Sequence, residues 1–407
     1  MLSTPNQKDR KVLLVSSNGG GLGHLSRQVA IALTGAKEQT LKARILTMSK
    51  GAALARNLGP EVDYFPTRSV NGMSLSEWEF SLADAIVGLV KQHDIEVVHF
   101  DGVYVYGGII LAANQLPNVS FAWTRRGMWK LRSKSRGLLV SRMFDLIIQP
   151  GDHAQASDVG PTAARTDATN IPPITLLEAV PMLSRQDAVE QIGLSPEKKT
   201  VLVAIGSGAL GDTDEIKNAV HEAIEQSVGW QAVTTTSPIA SGTGHSPKGV
   251  HQLPSSYPIV PFLNAIDAAV VAAGYNAPHE MVDAGIPSLL IPNYATLMDD
   301  QLARSVGFSS RGIAVSAAAE NTTQIVEQLH VLLSDAGNAA IKSNIERMMP
   351  IEKRGGASVA ANLLSKLSPD KTRRKYRRFW AFTIVVRLKA LAILDQIRHD
   401  KPAAVKH

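Results

Sequence analysis

Residues 261–304 read PFLNAIDAAVVAAGYNAPHEMVDAGIPSLLIPNYATLMDDQLAR and contain the most specific pattern in the chain. The apolar run AAVVAAG predicts a buried parallel strand that ends at Gly274. Asn276 suits the N-cap of a following helix, and Pro278 suits its first turn, where backbone N–H groups lack intrahelical partners. The pattern therefore predicts free backbone donors at the carboxyl end of a parallel strand, where open α/β sheets bind ligands.

Acidic and amide side chains follow this strand end at two points. Glu280 lies within the predicted helix, where its carboxylate can reach a ribose diol bound at the helix start. The chain then turns into the strand PSLLIP, and the next loop brings Asp299, Asp300 and Gln301 toward the same crevice. The alternative is an N-cap, a solvated glutamate and a solvated acidic loop.

A second glycine-rich junction, SSNGGGLGHLSR at residues 16–27, joins the strand KVLLV to the helical run RQVAIALTGA. Such glycines allow backbone N–H groups to approach a ligand at a helix N-terminus. No Lys follows the loop, which excludes a P-loop, and His24 stands where a dinucleotide fingerprint needs its third glycine. A tight turn without a ligand is the alternative. The glycines that we assign to ligand contact are Gly20, Gly21 and Gly23.

The alternation of short apolar runs with helical stretches predicts two parallel-sheet α/β domains. The Pro-rich, aperiodic stretch DATNIPPITLLEAVP separates the two halves. We predict domains at residues 1–178 and 179–368, followed by a basic amphipathic tail at 369–407.

Composition limits the possible functions. The 407 residues include no Cys, which excludes disulfides, thiolate metal sites and Cys nucleophiles. The N-terminus shows no signal-peptide pattern, and no run of 18 apolar residues occurs, so we expect a cytoplasmic protein. Residues 366–407 carry 12 Lys and Arg against 3 Asp, a net charge of +9 that leaves −3 for the rest of the chain. This asymmetry favours an anionic membrane or acceptor over nucleic acid.

A second basic stretch, AWTRRGMWKLRSKSRGLLVSR, covers residues 122–142 and contains seven Arg or Lys and no acid. Basic and aromatic side chains together predict stacking on a sugar or contact with lipid headgroups. A solvated loop is the alternative, and nucleic-acid binding is a weaker one because no recognition motif accompanies the stretch. The residues that we assign to an acceptor or membrane are Trp123, Arg125, Arg126 and Trp129.

Together these motifs resemble those of the GT-B glycosyltransferases, especially the family that contains the cell-wall enzyme MurG and the UDP-glycosyltransferases. The resemblance covers about residues 11–366 and implies a UDP-sugar donor, an envelope acceptor and no metal cofactor. It also implies that Glu280 binds ribose and that Asp300 and Gln301 bind the donor sugar. The segment GSGALGD, from Gly206, resembles the turn that opens the second domain. Further donor contacts implied by the resemblance are Ser207, Phe262, Leu263, Gly274, Tyr275, Asn276 and Ala277. The chain departs from the family at Tyr275-Asn276, where relatives have small or hydroxyl residues.

The resemblance gives His24 a role. Glycosyl transfer to a hydroxyl requires a base, and His has a suitable pKa near neutral pH. Asp101 closes the strand EVVHF and either orients His24 or is itself the base, whereas the alternative is a His that caps its own helix. The pair Asp212 and Asp214 resembles a metal-binding DxD, but we interpret it as the start of a helix. Other functions that fit are a UDP-sugar 2-epimerase and a non-catalytic nucleotide-sugar-binding protein at a membrane.

The tail permits two interpretations. Six of the eight residues 371–378 are basic, and an apolar stripe at helical spacing follows them. A stripe of this kind serves either a helix that packs back on the N-terminal domain or an interfacial helix on an anionic membrane, and we predict the membrane. The stripe consists of Phe379, Phe382, Val386, Ala390, Ile393 and Ile397.

Overall fold

The computed structural model describes residues 9–18, 21–133, 135–206, 213–235, 250–254, 257–348 and 354–399. Three of the predicted positions, Gly20, Ser207 and Asp212, lie outside these ranges, as does the side chain of Ile397.

The first half forms a seven-stranded sheet in the order β3-β2-β1-β4-β5-β6-β7, and all of its neighbouring strands are parallel. Its strands are β1 (Arg10–Ser16), β2 (Leu41–Thr47), β3 (Glu61–Tyr64), β4 (Val97–Asp101), β5 (Ser120–Thr124), β6 (Leu146–Pro150) and β7 (Thr169–Ile171). Its helices are α1 (Gly23–Lys37), α2 (Ala52–Arg56), α3 (Arg68–Asn71), α4 (Leu75–His93) and α5 (Gly107–Gln115). The five predicted strands are confirmed, whereas the short edge strands β3 and β7 lack an apolar run that would predict them.

The second half forms a six-stranded parallel sheet in the order β10-β9-β8-β11-β12-β13. Its strands are β8 (Lys199–Ala204), β9 (Trp230–Thr234), β10 (His251–Gln252), β11 (Ala268–Ala272), β12 (Ser288–Ile291) and β13 (Val315–Ser316). Its helices are α6 (Arg185–Ile192), α7 (Thr213–Gln226), α8 (Asn276–Asp283), α9 (Gln301–Ser310), α10 (Thr322–Leu333) and α11 (Asp335–Met348). The predicted fold class, two Rossmann-like parallel-sheet halves, is therefore confirmed, and Asp214 lies in the first turn of a helix as predicted.

The last two helices, α12 (Gly356–Ser365) and α13 (Arg374–His399), return to the first half. Helix α12 packs on α1 although it falls inside the predicted range 179–368, and α13 packs on α4 and α5. The predicted domain boundaries themselves stay predictions.

Helix α13 packs with the face opposite to the predicted stripe. Ala381 and Leu388 are buried against the first half, whereas Phe379 and Phe382 are 60% and 71% exposed. Val386 and Ile393 are also exposed. The tail thus forms a helix that packs back on the first half of the chain. It still exposes the apolar stripe that the membrane interpretation requires. Among the described residues, no helix is long and apolar enough to span a bilayer.

Candidate functional site

The glycine loop brings His24 to the carboxyl end of the first sheet. His24 is the second residue of α1. The N-cap of this helix is Leu22, and no side chain caps it, which excludes the alternative that His24 caps its own helix. Asp101 ends β4 next to Ser16 at the end of β1, because adjacent parallel strands finish at the same sheet edge. His24 Nδ1 lies 2.7 Å from Asp101 Oδ1, so the structure joins the two predicted residues.

The carboxylate of Asp101 also accepts two hydrogen bonds from Arg27, one from Nε and one from Nη2, each at 2.8 Å. Burial alone would raise the pKa of Asp101, but the charges of Arg27 and His24 and their hydrogen bonds outweigh it and hold the pKa well below its usual range. Burial lowers the pKa of His24, although Asp101 opposes this. At neutral pH the site therefore contains an ionised Asp101 and a neutral His24.

The hydrogen-bond partners fix the tautomer of His24. Arg27 Nη2 lies 2.8 Å from His24 Nδ1, but this nitrogen cannot accept from Arg27 while it donates to Asp101. We assign its proton to the bond with the carboxylate, which is the stronger acceptor. Nε2 then carries the lone pair, and none of the described residues bonds to it.

Asn276 crosses from the second half to the first. Its Oδ1 accepts from Arg27 Nη1 at 2.9 Å, and its Nδ2 donates to the carbonyl of Gly23 at 3.2 Å. The prediction that Asn276 is an N-cap is wrong: Tyr275 precedes the first helical residue, and no side chain caps α8. The amide of Asn276 faces α1 instead, because a partner there satisfies both of its polar atoms.

Tyr275 fills the junction between the halves. The side chain is buried, its hydroxyl donates to the carbonyl of Gly151 at 2.8 Å, and its ring stacks on His279 with centroids 4.3 Å apart. Three guanidinium groups also contact the ring, from Arg27 at 5.2 Å, Arg126 at 5.4 Å and Arg304 at 6.0 Å. The departure from the family motif therefore places an aromatic ring among cations at the start of α8.

Arg304 anchors the acids around this ring. It donates to Asp152 at 2.7 Å, to Asp299 at 2.8 Å and to the carbonyl of Ala273 at 3.1 Å. Among the described residues, Arg126 makes one ion pair, with Asp299 at 3.6 Å, and none of them bonds to its buried Nε. Arg126 is therefore the least neutralised cation of the cluster, and it faces the N-terminus of α8.

The residues assigned to ribose and sugar lie near this junction. Glu280 is buried one turn after Asn276, and burial raises the pKa of its carboxyl to about 7, although a backbone hydrogen bond from Leu176 opposes the rise. Gln301 Oε1 accepts from the backbone N–H of Asn293 at 3.0 Å.

The other residues that the sequence assigns to the donor lie in several separate elements. Asp300 caps α9 through a bond from the N–H of Ala303 at 3.0 Å. Ala277 is the second residue of α8, and Gly274 follows β11 with only the Gln301 amide near the place of a side chain. Phe262 and Leu263 lie in the 3-10 helix Val260–Ala265 and are buried in the core of the second half. Gly21 has open space at the place of a side chain, whereas a Cβ on Gly23 would lie 3.4 Å from Asn276 Oδ1.

The basic stretch 122–142 is only partly the exposed surface that the sequence predicts, since Arg132, Arg136 and Arg142 are exposed but the aromatic residues are not. Trp123 and Arg125 are fully buried: the indole of Trp123 donates to the carbonyl of Gly102 at 2.8 Å, and Arg125 pairs with Asp167 at 2.8 Å. Trp129 is also buried, and its backbone pairs with that of Asp299 in the second half. The burial of these three side chains contradicts their assignment to an acceptor or a membrane.

Sequence reasoning missed several residues of the site. Arg27 stands three positions after His24, a spacing that places both on one helix face. Asp152, Arg304 and His279 carry no local signal, because the ion pairs that join Asp152 to Arg304 and to His279 link residues far apart in the sequence.

No protein-family model and no curated protein matches the sequence. Several solved structures are similar to this chain. The spinosyn forosaminyltransferase SpnP superposes with a TM-score of 0.62 at 13% identity, over 87% of this chain and 98% of that one. The spinosyn rhamnosyltransferase SpnG superposes with a TM-score of 0.60 at 14% identity, over 87% of this chain and 99% of that one. Acinetobacter baumannii MurG superposes with a TM-score of 0.58 at 15% identity, over 88% of this chain and 100% of that one. SpnG has also been solved with thymidine diphosphate and with spinosyn aglycone. These likenesses show that the chain has the GT-B fold.

Proposed function

We propose that the protein is an inverting glycosyltransferase that moves a hexosyl-type sugar from a UDP-sugar to a hydroxyl acceptor. One observation carries the proposal. His24 Nδ1 is held by an ionised Asp101 while Nε2 has no partner among the described residues, at the sheet edge that faces the start of α8. A neutral His oriented in this way is a general base that can accept the proton of a hydroxyl.

The reaction we propose is a single displacement. The acceptor oxygen gives its proton to His24 Nε2 and bonds to the anomeric carbon, and the bond from that carbon to the phosphate oxygen breaks to release UDP. Arg126 and the N-terminus of α8 are positioned to stabilise the charge on the leaving diphosphate. Both oxygens of Asp101 already accept from Arg27 or His24, so we assign the base to His24 and the orienting role to Asp101. We propose no metal cofactor.

Glu280 and Gln301 provide the test of the donor site. We expect Glu280→Ala to weaken UDP binding in calorimetry, and Gln301→Ala to retain UDP affinity but to lose turnover of the intact UDP-sugar. Because the pKa of Glu280 is about 7 and ribose hydroxyls donate to the ionised carboxylate, UDP affinity should increase as the pH rises through 7. Glu280→Gln should abolish this pH dependence.

Screening UDP-sugars and thymidine diphosphate sugars with a hydroxyl acceptor separates the possible activities. Formation of a new glycoside together with UDP supports the proposal. An epimerised donor without a glycoside points to the epimerase. Normal UDP binding and normal turnover by Glu280→Ala and Gln301→Ala would show that this crevice is not the donor site.

We further propose that the acceptor belongs to the cell envelope and that α13 holds the enzyme on the inner, anionic surface of the membrane. Exposed Phe379, Phe382, Val386 and Ile393 share one face of α13. The exposed cations Lys375, Arg378 and Lys389 fall on the same face by helical spacing. Apolar and basic residues on one surface fit a bilayer with anionic headgroups.

The structure reduces the basic cluster that the sequence predicts. Of the six cations in residues 371–378, Arg377 is buried, Arg373 pairs with Asp370 at 3.2 Å, and Arg374 donates to Asn118 at 3.1 Å. Only Lys371, Lys375 and Arg378 remain exposed without an ion pair among the described residues. Three such residues contribute about 3 kcal/mol near an anionic surface, so the apolar stripe must supply much of the binding.

Liposome co-sedimentation tests the membrane surface. We expect the full chain to pellet with vesicles that contain phosphatidylserine and to be released at high salt, whereas Phe382→Ser/Val386→Ser should stay in the supernatant. The matched control is Val306→Ser/Val331→Ser, which changes two exposed valines on α9 and α10 and should pellet as the original chain does. Equal pelleting of both variants, or none by the original chain at low salt, would contradict this proposal.

A further inference from the structure

Arg27 has no part in the chemistry described above, yet its buried side chain joins three elements. Its guanidinium holds both oxygens of Asp101 on β4 and, through Nη1, the amide oxygen of Asn276 on α8. Asn276 returns a hydrogen bond to the carbonyl of Gly23, the residue before His24. The first residue of α8 therefore contacts α1 on both sides of His24.

The geometry of these bonds fixes the position of the base. A guanidinium is a planar fork, so two bonds to one carboxylate set the plane of that carboxylate as well as its position. The carboxylate of Asp101 in turn sets the ring of His24. A Lys at position 27 would keep the charge but could not bond to both carboxylate oxygens and to Asn276 in the same way.

The contact with Asn276 distinguishes this network from an ordinary buried ion pair. Arg27 and Asp101 would neutralise each other without any group from the second half. The bonds from Asn276 exist only while α8 lies against α1, and α8 is the helix whose N-terminus faces the leaving diphosphate in the proposed function.

We propose that Arg27 and Asn276 are positioning residues that align the His24–Asp101 pair when α8 is seated against α1, so that the base is assembled only as the donor helix closes on it. The effect of this coupling on catalysis rests on the proposed function. Its structural part, the dependence of His24 on α8 through Arg27, can be measured without any turnover.

The charges around His24 support this role. Asp101 on β4 raises the pKa of His24, whereas burial, Arg27 on α1 and Arg126 after β5 lower it. A base works in its neutral form, so activity falls as the pH drops through the pKa of His24. Without Arg27 the attraction of Asp101 is opposed only by burial and Arg126, the pKa of His24 rises, and the acid limb of the kcat profile moves to higher pH.

Asn276→Ala is the first test, because it removes the amide but keeps the backbone N–H groups of α8 that face the phosphates. We expect kcat to fall about tenfold or more, the effect of losing a hydrogen bond to a charged group, with little change in UDP affinity. An unchanged kcat, or an equal loss of UDP affinity, would overturn the coupling.

Arg27→Met and Arg27→Lys form the second test. Both should lose about 100-fold in kcat because the base is misplaced, but only Arg27→Met should move the acid limb to higher pH, since Lys keeps the charge. Arg68→Met, an exposed Arg on α3, is the matched control and should change neither quantity. If both Arg27 variants shift the limb equally, or neither loses kcat, Arg27 does not position the base.

NMR titration of histidine-labelled protein gives a readout that is independent of activity, with the His24 signal assigned from its loss in His24→Gln. We expect a higher pKa of His24 in Arg27→Met and broadened or shifted His24 signals in Asn276→Ala. If these changes occur but no donor is turned over, the glycosyltransferase proposal fails and the coupling stands. If sugar is transferred while His24 titrates identically in every variant, the coupling fails and the proposed function stands.

Discussion

His24→Ala should lower kcat for glycosyl transfer by about 10²–10⁴-fold, which is the usual contribution of a positioned general base. The reason is geometric: of the two ring nitrogens of His24, Asp101 holds Nδ1 at 2.7 Å, whereas Nε2 bonds to none of the described residues. UDP affinity should be retained, because the proposed nucleotide contacts lie in the second half. Initial rates with saturating donor, together with calorimetry for UDP, measure the two quantities separately.

His330→Ala, an exposed His on α10, is the matched control and should retain the original kcat. Asp101→Asn should also lose activity, since an amide cannot stabilise the cationic His24 formed during the reaction. An active His24→Ala enzyme alongside an inert Asp101→Ala enzyme would assign the base to Asp101 instead.

Arg377→Met should destabilise the fold by about 3–5 kcal/mol, the cost of leaving one partner of a buried ion pair alone. Arg377 and Asp145 have side chains only 2% and 1% exposed, and their ion pair is 2.6 Å long. Arg377 also donates to the carbonyls of Met143 and Val119, so this side chain makes three polar contacts between α13 and the first half. Removing it leaves the carboxylate of Asp145 buried, with two backbone N–H groups as its donors among the described residues.

Urea denaturation followed by circular dichroism measures this effect as a change in the midpoint. Arg378→Met is the matched control, because Arg378 is the adjacent Arg in sequence and is exposed, and we expect a change within about 0.5 kcal/mol. Equal midpoints for the two variants would show that the ion pair does not hold α13 in place.

The sequence by itself determined the features that depend on local pattern. Apolar runs predicted the central strands of both sheets, and the resemblance of the motifs to those of the glycosyltransferases predicted that Asp101 acts together with His24. The helical spacing of Phe379, Phe382, Val386 and Ile393 correctly placed these residues on one face, since a helix fixes the relative directions of its side chains. Such patterns need no knowledge of the rest of the fold.

Only the tertiary structure decided which of these surfaces meet. Burial of Trp123 and Arg125 depends on partners outside their own stretch, and nothing in a run of basic residues distinguishes a solvated Arg from one paired with an Asp. The tail shows the same limit, because its spacing defined two opposite faces but not which of them would pack on α4 and α5. The bond from Arg27 to Asn276 joins residues 249 positions apart. Residues so far apart become neighbours only where the two halves of the chain pack together, and a hydrogen bond made across that junction leaves no periodic trace in the sequence.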